Sequence, residues 1–240
     1  MTSHPSRGIL RISAALYLCA PLLLLAVEAV VAARFPGYSY ITNYVSDLGV
    51  PEIGSFEGRP IDSPLAWLMN TGFVVHGLLV FAATVMLVRA AGRGGLRWVL
   101  LVFAAVYAIG LATIAIVHGS EQSQAAGIVG VHFLGGGLLA FAGSGMAAAA
   151  GLGSGRFGVP VALRVCSVAL GVLSLALIVL LALDKGDPAM HILGEGALER
   201  GALYSILLWQ ILVGGILIRR RGAVANAAGP DSTSAPKKWG

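Results

Sequence analysis

The sequence predicts an all-α fold, a polytopic membrane helix bundle with six transmembrane helices and both termini on the cytoplasmic side. Three observations carry that reading. Hydrophobic residues fill 57% of the 240 positions and charged residues 11%, with a mean hydropathy of +0.86, which leaves a water-soluble domain of this size too little polar surface. Six apolar runs are long enough to cross a hydrocarbon core of about 30 Å, which takes about 20 helical residues each. The basic residues between those runs fall unequally on the two sides.

The runs lie near Leu10 to Ala33, Pro64 to Val88, Leu96 to His118, Ala126 to Ala150, Pro160 to Leu183 and Ala197 to Ile218. The first resembles a signal peptide in one respect, the small-residue spacing of Val31 and Ala33, but its apolar region is too long and contains Pro21 and Glu28, so it is read as a retained span. Alternation places Arg7, Arg11, Arg89, Arg93, Arg97, Arg156, Arg164, Arg219, Arg220, Arg221, Lys237 and Lys238 on one side. Arg34, Arg59, Lys185 and Arg200 fall on the other, and twelve cations against four put the first group inside. Most acids lie on the outer side, and Trp67 and Trp98 stand at helix starts, where belt aromatics belong. The chain thus divides into a membrane domain at 1–221, with a long outer loop at 34–63, and a disordered cytoplasmic tail at 222–240. The localisation expected is a bacterial cytoplasmic membrane.

Composition also excludes function classes. The net charge of +5 and pI near 9.6 come from scattered flanking arginines, not from a basic stripe with interleaved aromatics, so no nucleic-acid partner is expected. Cys19 and Cys166 lie in apolar runs and read as small buried hydrophobes. The chain has no nucleotide motif, no nucleophile elbow and no string of carboxylates through the spans, and no cofactor is expected. Membrane lipids are the expected partners; a homo-oligomer or another membrane partner stays open.

Polar residues inside the spans are costly, because each must find a partner or face a cavity. These are Glu28, Asn70, His76, His132 and Gln210. At about 1.5 Å per residue, Glu28, Asn70 and His132 each lie roughly 8 to 9 Å from the outer ends of their helices. The three are therefore expected to share one outer-leaflet layer and to line one cavity, a Glu28 and His132 pair among them. The alternative for each is an interhelical hydrogen bond that fixes packing. His132 opens a stripe at four-residue spacing with Gly136, Ala140, Ser144 and Ala148, a small-residue face that admits another helix closely. His118 and Glu121 rim the outer side at the third helix and Glu195, Glu199 and Arg200 at the sixth, with Asp184, Asp187 and His191 adding polarity. In the long loop Asn43, Ser46, Asp47 and Gly49 sit among tyrosines and branched aliphatics. Either the loop folds back over the bundle with these groups turned inward, or Ser46 and Asp47 cap a short turn ended by Gly49.

SYITNYVSDLG, SPLAWLMNTG, GVHFLGGGLLAF and GALERGALYSILLWQIL together resemble the bacterial and archaeal membrane family called domain of unknown function 998, over about Leu10 to Ile218. That family has no established activity. VSDLGVP with Asn70 is similar to the opening of the eukaryotic Frag1 and damage-regulated autophagy modulator family, six-helix proteins associated with membrane lipids and lipid-anchor remodelling. That resemblance implies roles for Ser46, Asp47, Gly49, Pro51 and Asn70.

The function expected is binding of a lipid or other amphiphile in an outer-leaflet polar pocket made by Glu28, Asn43, Ser46, Asp47, Asn70, His132, Glu199 and Arg200. The alternatives are an intramembrane metal-dependent hydrolase with Asp47, His118, Glu121 and His132 as ligands, a haem protein using His76 and His132, and an accessory or structural subunit with no ligand.

Overall fold

A computed structural model describes residues 7–91, 94–186 and 193–227. Among these residues six helices are long and apolar enough to span a membrane: α1 (Arg7–Ala32), α2 (Ala66–Ala91), α3 (Gly95–Ile116), α5 (Val129–Gly153), α6 (Val161–Gly186) and α7 (Glu195–Ala227). A short helix, α4 (Glu121–Ala125), lies between α3 and α5. The expected and observed spans agree to within a few residues, because the length of an apolar run is itself the measure of the bilayer. The fourth span starts later than expected: Ser120 accepts from the Ser123 amide and starts α4 instead, and Gly127, at φ +72°, breaks the helix before α5 begins. The last helix continues to Ala227, past the expected start of the tail, and residues 228–240 lie outside the described part, as do Asp187 and His191.

Each spanning helix packs on the next, and α7 returns to α1, so the six close a ring with α5 also touching α7 across it. Buried hydrogen bonds fasten neighbours within the apolar interior. Ser13 donates to the Ala83 carbonyl at 2.8 Å and the Tyr17 and Thr84 hydroxyls meet at 2.7 Å, tying α1 to α2. His76 lies 3.0 Å from the Ala20 carbonyl through Nδ1 and 3.0 Å from the Tyr107 hydroxyl through Nε2. A carbonyl only accepts, so Nδ1 carries the proton and Nε2 accepts from tyrosine. Both ring nitrogens are thus committed to packing α1, α2 and α3, and the haem arrangement with His132 is not formed.

Small residues set how α6 leans. A Cβ on Gly171 would sit 2.7 Å from the Ser144 carbonyl, and one on Gly151 2.6 Å from that of Arg164, so α5 and α6 touch backbone to backbone along this half. Toward the other end α6 packs against α7, where Leu177 lies over Gly201 and Leu181 joins Leu198. The small-residue stripe of α5 therefore does two things: Ser144 and Ala148 receive α6, while His132, Gly136 and Ala140 face the space that its departure leaves.

One end of the bundle is covered by the long loop. Its central part is a 3-10 turn at Ser46–Gly49 with no side-chain cap at its start and Asp47 buried, followed by an antiparallel hairpin, β1 (Gly54–Phe56) and β2 (Arg59–Ile61). Glu57 and Gly58 both have positive φ, +50° and +77°, the conformation of a two-residue turn that matches strand twist. At the opposite end Arg164 donates to the carbonyls of Gly151 and Leu152 at 2.9 and 3.2 Å, closing the C-terminus of α5. Trp67 at the loop end and Trp98 at the opposite end are both largely exposed, 65% and 60%, as rings at two membrane surfaces would be.

Candidate functional site

The loop is held to the bundle by two buried arginines. Arg200, on the first turns of α7 and 5% exposed, reaches Glu28 of α1 at 3.0 Å through Nε. Its Nη1 donates to the carbonyls of Tyr40, Asn43 and Gly196 at 2.8, 2.6 and 3.2 Å, and its Nη2 to the Tyr38 hydroxyl. The guanidinium also lies 4.8 Å from the centre of the Tyr40 ring. Glu28, 1% exposed, receives a second bond from Tyr204 at 2.9 Å. All three nitrogens of the guanidinium therefore donate. Gly196 makes the approach possible, since any Cβ there would run into the Asn43 backbone.

The second arginine comes from the hairpin. Arg59 is bidentate on Asp47, at 3.0 Å through Nε and 3.3 Å through Nη2, and stacks 4.0 Å from the Tyr44 ring centre. Asp47 also accepts from the Tyr44 amide at 2.9 Å and from Asn43 Nδ2 at 3.3 Å. Glu57 and Glu195 approach Arg59 at 3.4 and 3.5 Å, and the Tyr44 hydroxyl donates to Glu195. Burial first, and then that carboxylate, push the Tyr44 phenol well above its ordinary pKa, keeping it a neutral donor. Burial raises Tyr38 likewise, against the opposing pull of Arg200, in keeping with its bond to the Tyr44 carbonyl at 2.9 Å. Burial works against the charge of Arg59, but the hydrogen bond and charge of Asp47 outweigh it and the net shift is upward.

Glu199 differs from both acids. One residue along an α-helix turns the side chain by about 100°, so Glu199 points away from Glu28 and toward the space left between α5 and α6. It accepts from the Val45 amide and from Ser46 Oγ at 3.2 Å. Among the described residues no cation lies within ion-pair distance of it.

That space is a cavity of about 70 Å³, several times the minimum of about 10–15 Å³ that one water needs. Its walls are apolar: Phe73 of α2, Leu111 and Ile114 of α3, Leu139 and Ala140 of α5, Ile178 of α6, and Leu203 and Ile206 of α7. Its polar groups are Ser46, Glu199, His132 and Ser174. Ser174 Oγ is buried with no hydrogen-bond partner. His132 Nδ1 donates to the Val117 carbonyl at 2.8 Å, which fixes its ring against the end of α3. Gly136 lines the cavity, and a Cβ added there meets nothing within 4 Å.

The expected common cavity of Glu28, Asn70 and His132 is not formed. Glu28 is spent on Arg200 and Tyr204. Asn70 donates to the Gly49 carbonyl at 2.8 Å and lies 3.1 Å from His118 Nε2, fastening the loop to α2 and α3. Only His132 of the three lines the cavity. Equal depth does not amount to proximity, because the three residues leave their helices in different directions. Of the eight binding candidates, Ser46, His132 and Glu199 reach the cavity, while Glu28, Asn43, Asp47, Asn70 and Arg200 hold the loop above it. Sequence reasoning missed Arg59, Tyr44 and Tyr204.

The metal candidates stay apart. Asp47 is taken by Arg59, His118 sits by Asn70, and Glu121 binds Ser55 at 2.8 Å on the hairpin. Among the described residues no group of three or more histidine, cysteine or acidic side chains could hold a metal.

Fold and site together define a multi-pass membrane protein with six spanning helices among the described residues, whose long loop is locked over one end of the bundle. The chain belongs to the family described as Protein of unknown function (DUF998), whose model matches residues 18–215. No curated protein matches it. No solved structure matches it either.

Proposed function

We propose that this protein binds a lipid or other amphiphile in the cavity between α5, α6 and α7, with the loop on the outer side of a bacterial cytoplasmic membrane and both termini inside. The observation that carries the binding reading is the cavity itself: apolar walls, with Glu199 and Ser46 at the end under the loop and Ser174 deeper within. An amphiphile has that same division, and a small number of fixed polar groups in an apolar lining is what orients a ligand. Gly136 supplies the test. Leucine at that position extends into open space and improves helix propensity by nearly 1 kcal/mol, so Gly136→Leu is expected to keep or raise thermal stability and to lose the amphiphile found by lipid mass spectrometry of the purified wild type. Equal retention in the two proteins would refute the site.

The orientation rests on charge. Of the four cations assigned to the loop side, Arg59 and Arg200 are buried in ion pairs, so the free positive charge on that side is smaller than a count suggests, whereas Arg89 and Arg97 flank the other. Reporters fused after Arg221 or within the 89–97 connection should read cytoplasmic, and a tag beside Glu57 should react with an impermeant reagent in intact spheroplasts. Protection of that tag would reverse the topology.

A further inference from the structure

We infer that the group bound at the loop end of this cavity is an ammonium, and that Glu199 is its counter-ion; the inference rests on the amphiphile reading above and specifies its headgroup. Arg200 is committed to Glu28, three carbonyls and Tyr38. Arg59 is committed to Asp47 and approached by Glu57 and Glu195. Two guanidinium groups thus serve four carboxylates, and Glu199 is a fifth that neither reaches within ion-pair distance.

Glu199 stands against apolar walls, held by the Val45 amide and the Ser46 hydroxyl, and a carboxyl in such surroundings is either protonated or paired with a cation, so a cationic guest is the one that stabilises its charged form. Deeper in the cavity Ser174 Oγ, 1% exposed, is a further polar group without a hydrogen-bond partner, out of reach of a group bound at Glu199. An anionic headgroup would face Glu199 with no arginine or lysine among the residues lining the cavity; a neutral one would not draw on the charge of Glu199. A primary ammonium provides both the charge and several N–H donors in a small volume. The apolar walls deeper in favour an ammonium carried on acyl chains over a free organic amine.

Native mass spectrometry of the full chain in nanodiscs of equimolar dioleoyl phosphatidylethanolamine and phosphatidylglycerol reads the headgroup directly. A charge-assisted hydrogen bond gives at least about a tenfold preference, so retained lipid should be phosphatidylethanolamine by that margin in the wild type and near parity in Glu199→Gln, whose amide oxygen still accepts from Val45. A second arm measures the thermal shift of the wild type with free ethanolamine. A shift that Glu199→Gln abolishes, without any lipid preference, would keep the ammonium and make its source water-soluble. Lipid retained without preference in both proteins, together with no ethanolamine shift, overturns the inference while leaving the amphiphile site intact. Lipid retained equally by wild type and Gly136→Leu overturns the amphiphile site itself.

Discussion

Arg200→Ala is expected to destabilise the detergent-purified protein more than any other single change at the loop end, by about 3 to 5 kcal/mol, the cost of stranding one partner of a buried ion pair. The guanidinium joins three separate parts of the chain: Glu28 in α1, the carbonyls of Tyr40 and Asn43 in the loop, and α7 itself. Its removal leaves Glu28 with Tyr204 alone and leaves those loop carbonyls without that donor. Lysine would be a poor substitute, because a single ammonium cannot present the planar set of donors that reaches Glu28 and the loop together. The double variant Arg200→Met with Glu28→Gln should recover part of the loss, since it removes both charges. Chemical denaturation of the wild type, Arg200→Met, Glu28→Gln and the double variant measures the coupling. Strictly additive losses would mean that the pair does not act as a unit.

The second large effect is at Asp47. Asp47→Ala is expected to cost about 3 kcal/mol or more, because Arg59, 8% exposed, then loses both bonds of its bidentate pair and the Tyr44 amide loses its acceptor. Glu57→Gln, in the same loop, should change stability by no more than about 0.5 kcal/mol, since its contact with Arg59 is a single 3.4 Å approach from a side chain that is 34% exposed. Asp47→Asn should fall between the two, retaining an acceptor but not the charge. Hydrogen exchange across residues 43–50 would locate the damage, with faster exchange in the Asp47 variants and wild-type rates in Glu57→Gln. Equal exchange in Asp47→Ala and Glu57→Gln would show that the loop is not anchored by this pair.

The two anchors show why some of this molecule was legible in the sequence and some was not. A spanning helix announces itself locally, as an unbroken apolar run of fixed length, so all six spans lay within a few residues of their expected positions. The small-residue stripe from His132 to Ala148 was equally local, and its use in packing α6 follows from spacing on one helix. Partnership is not local. Glu28 and Arg200 are 172 positions apart, and depth along a helix gives a residue's height without its direction around the axis. Height suggested that Glu28 would meet Asn70 and His132; direction sent Glu28 to α7, Asn70 to the loop and α3, and His132 to the cavity. Arg200 stood at a comparable depth and bore the opposite charge, which was the stronger clue because a buried acid is satisfied best by a cation. The hairpin was missed because Glu at a positive φ is uncommon, so Glu57-Gly58 lacks the usual turn signature. Its consequence was the largest omission, since the hairpin delivers Arg59 to Asp47.

The anchors also explain how a cavity persists at the loop end. With the loop fixed to α1 and α7 through Arg200 and to α2 through Asn70, Ser46 and Val45 are held over Glu199. Meanwhile α6 is pinned to α5 only where Gly151 and Gly171 allow contact, which leaves the other half of the groove to be filled by something else. Native mass spectrometry of the wild-type chain released from lipid nanodiscs tests that claim most directly. One amphiphile per chain is predicted to survive collision energies that strip surrounding lipid, and to be missing from Gly136→Leu; a chain that emerges bare, or with the same adducts in both proteins, would contradict it.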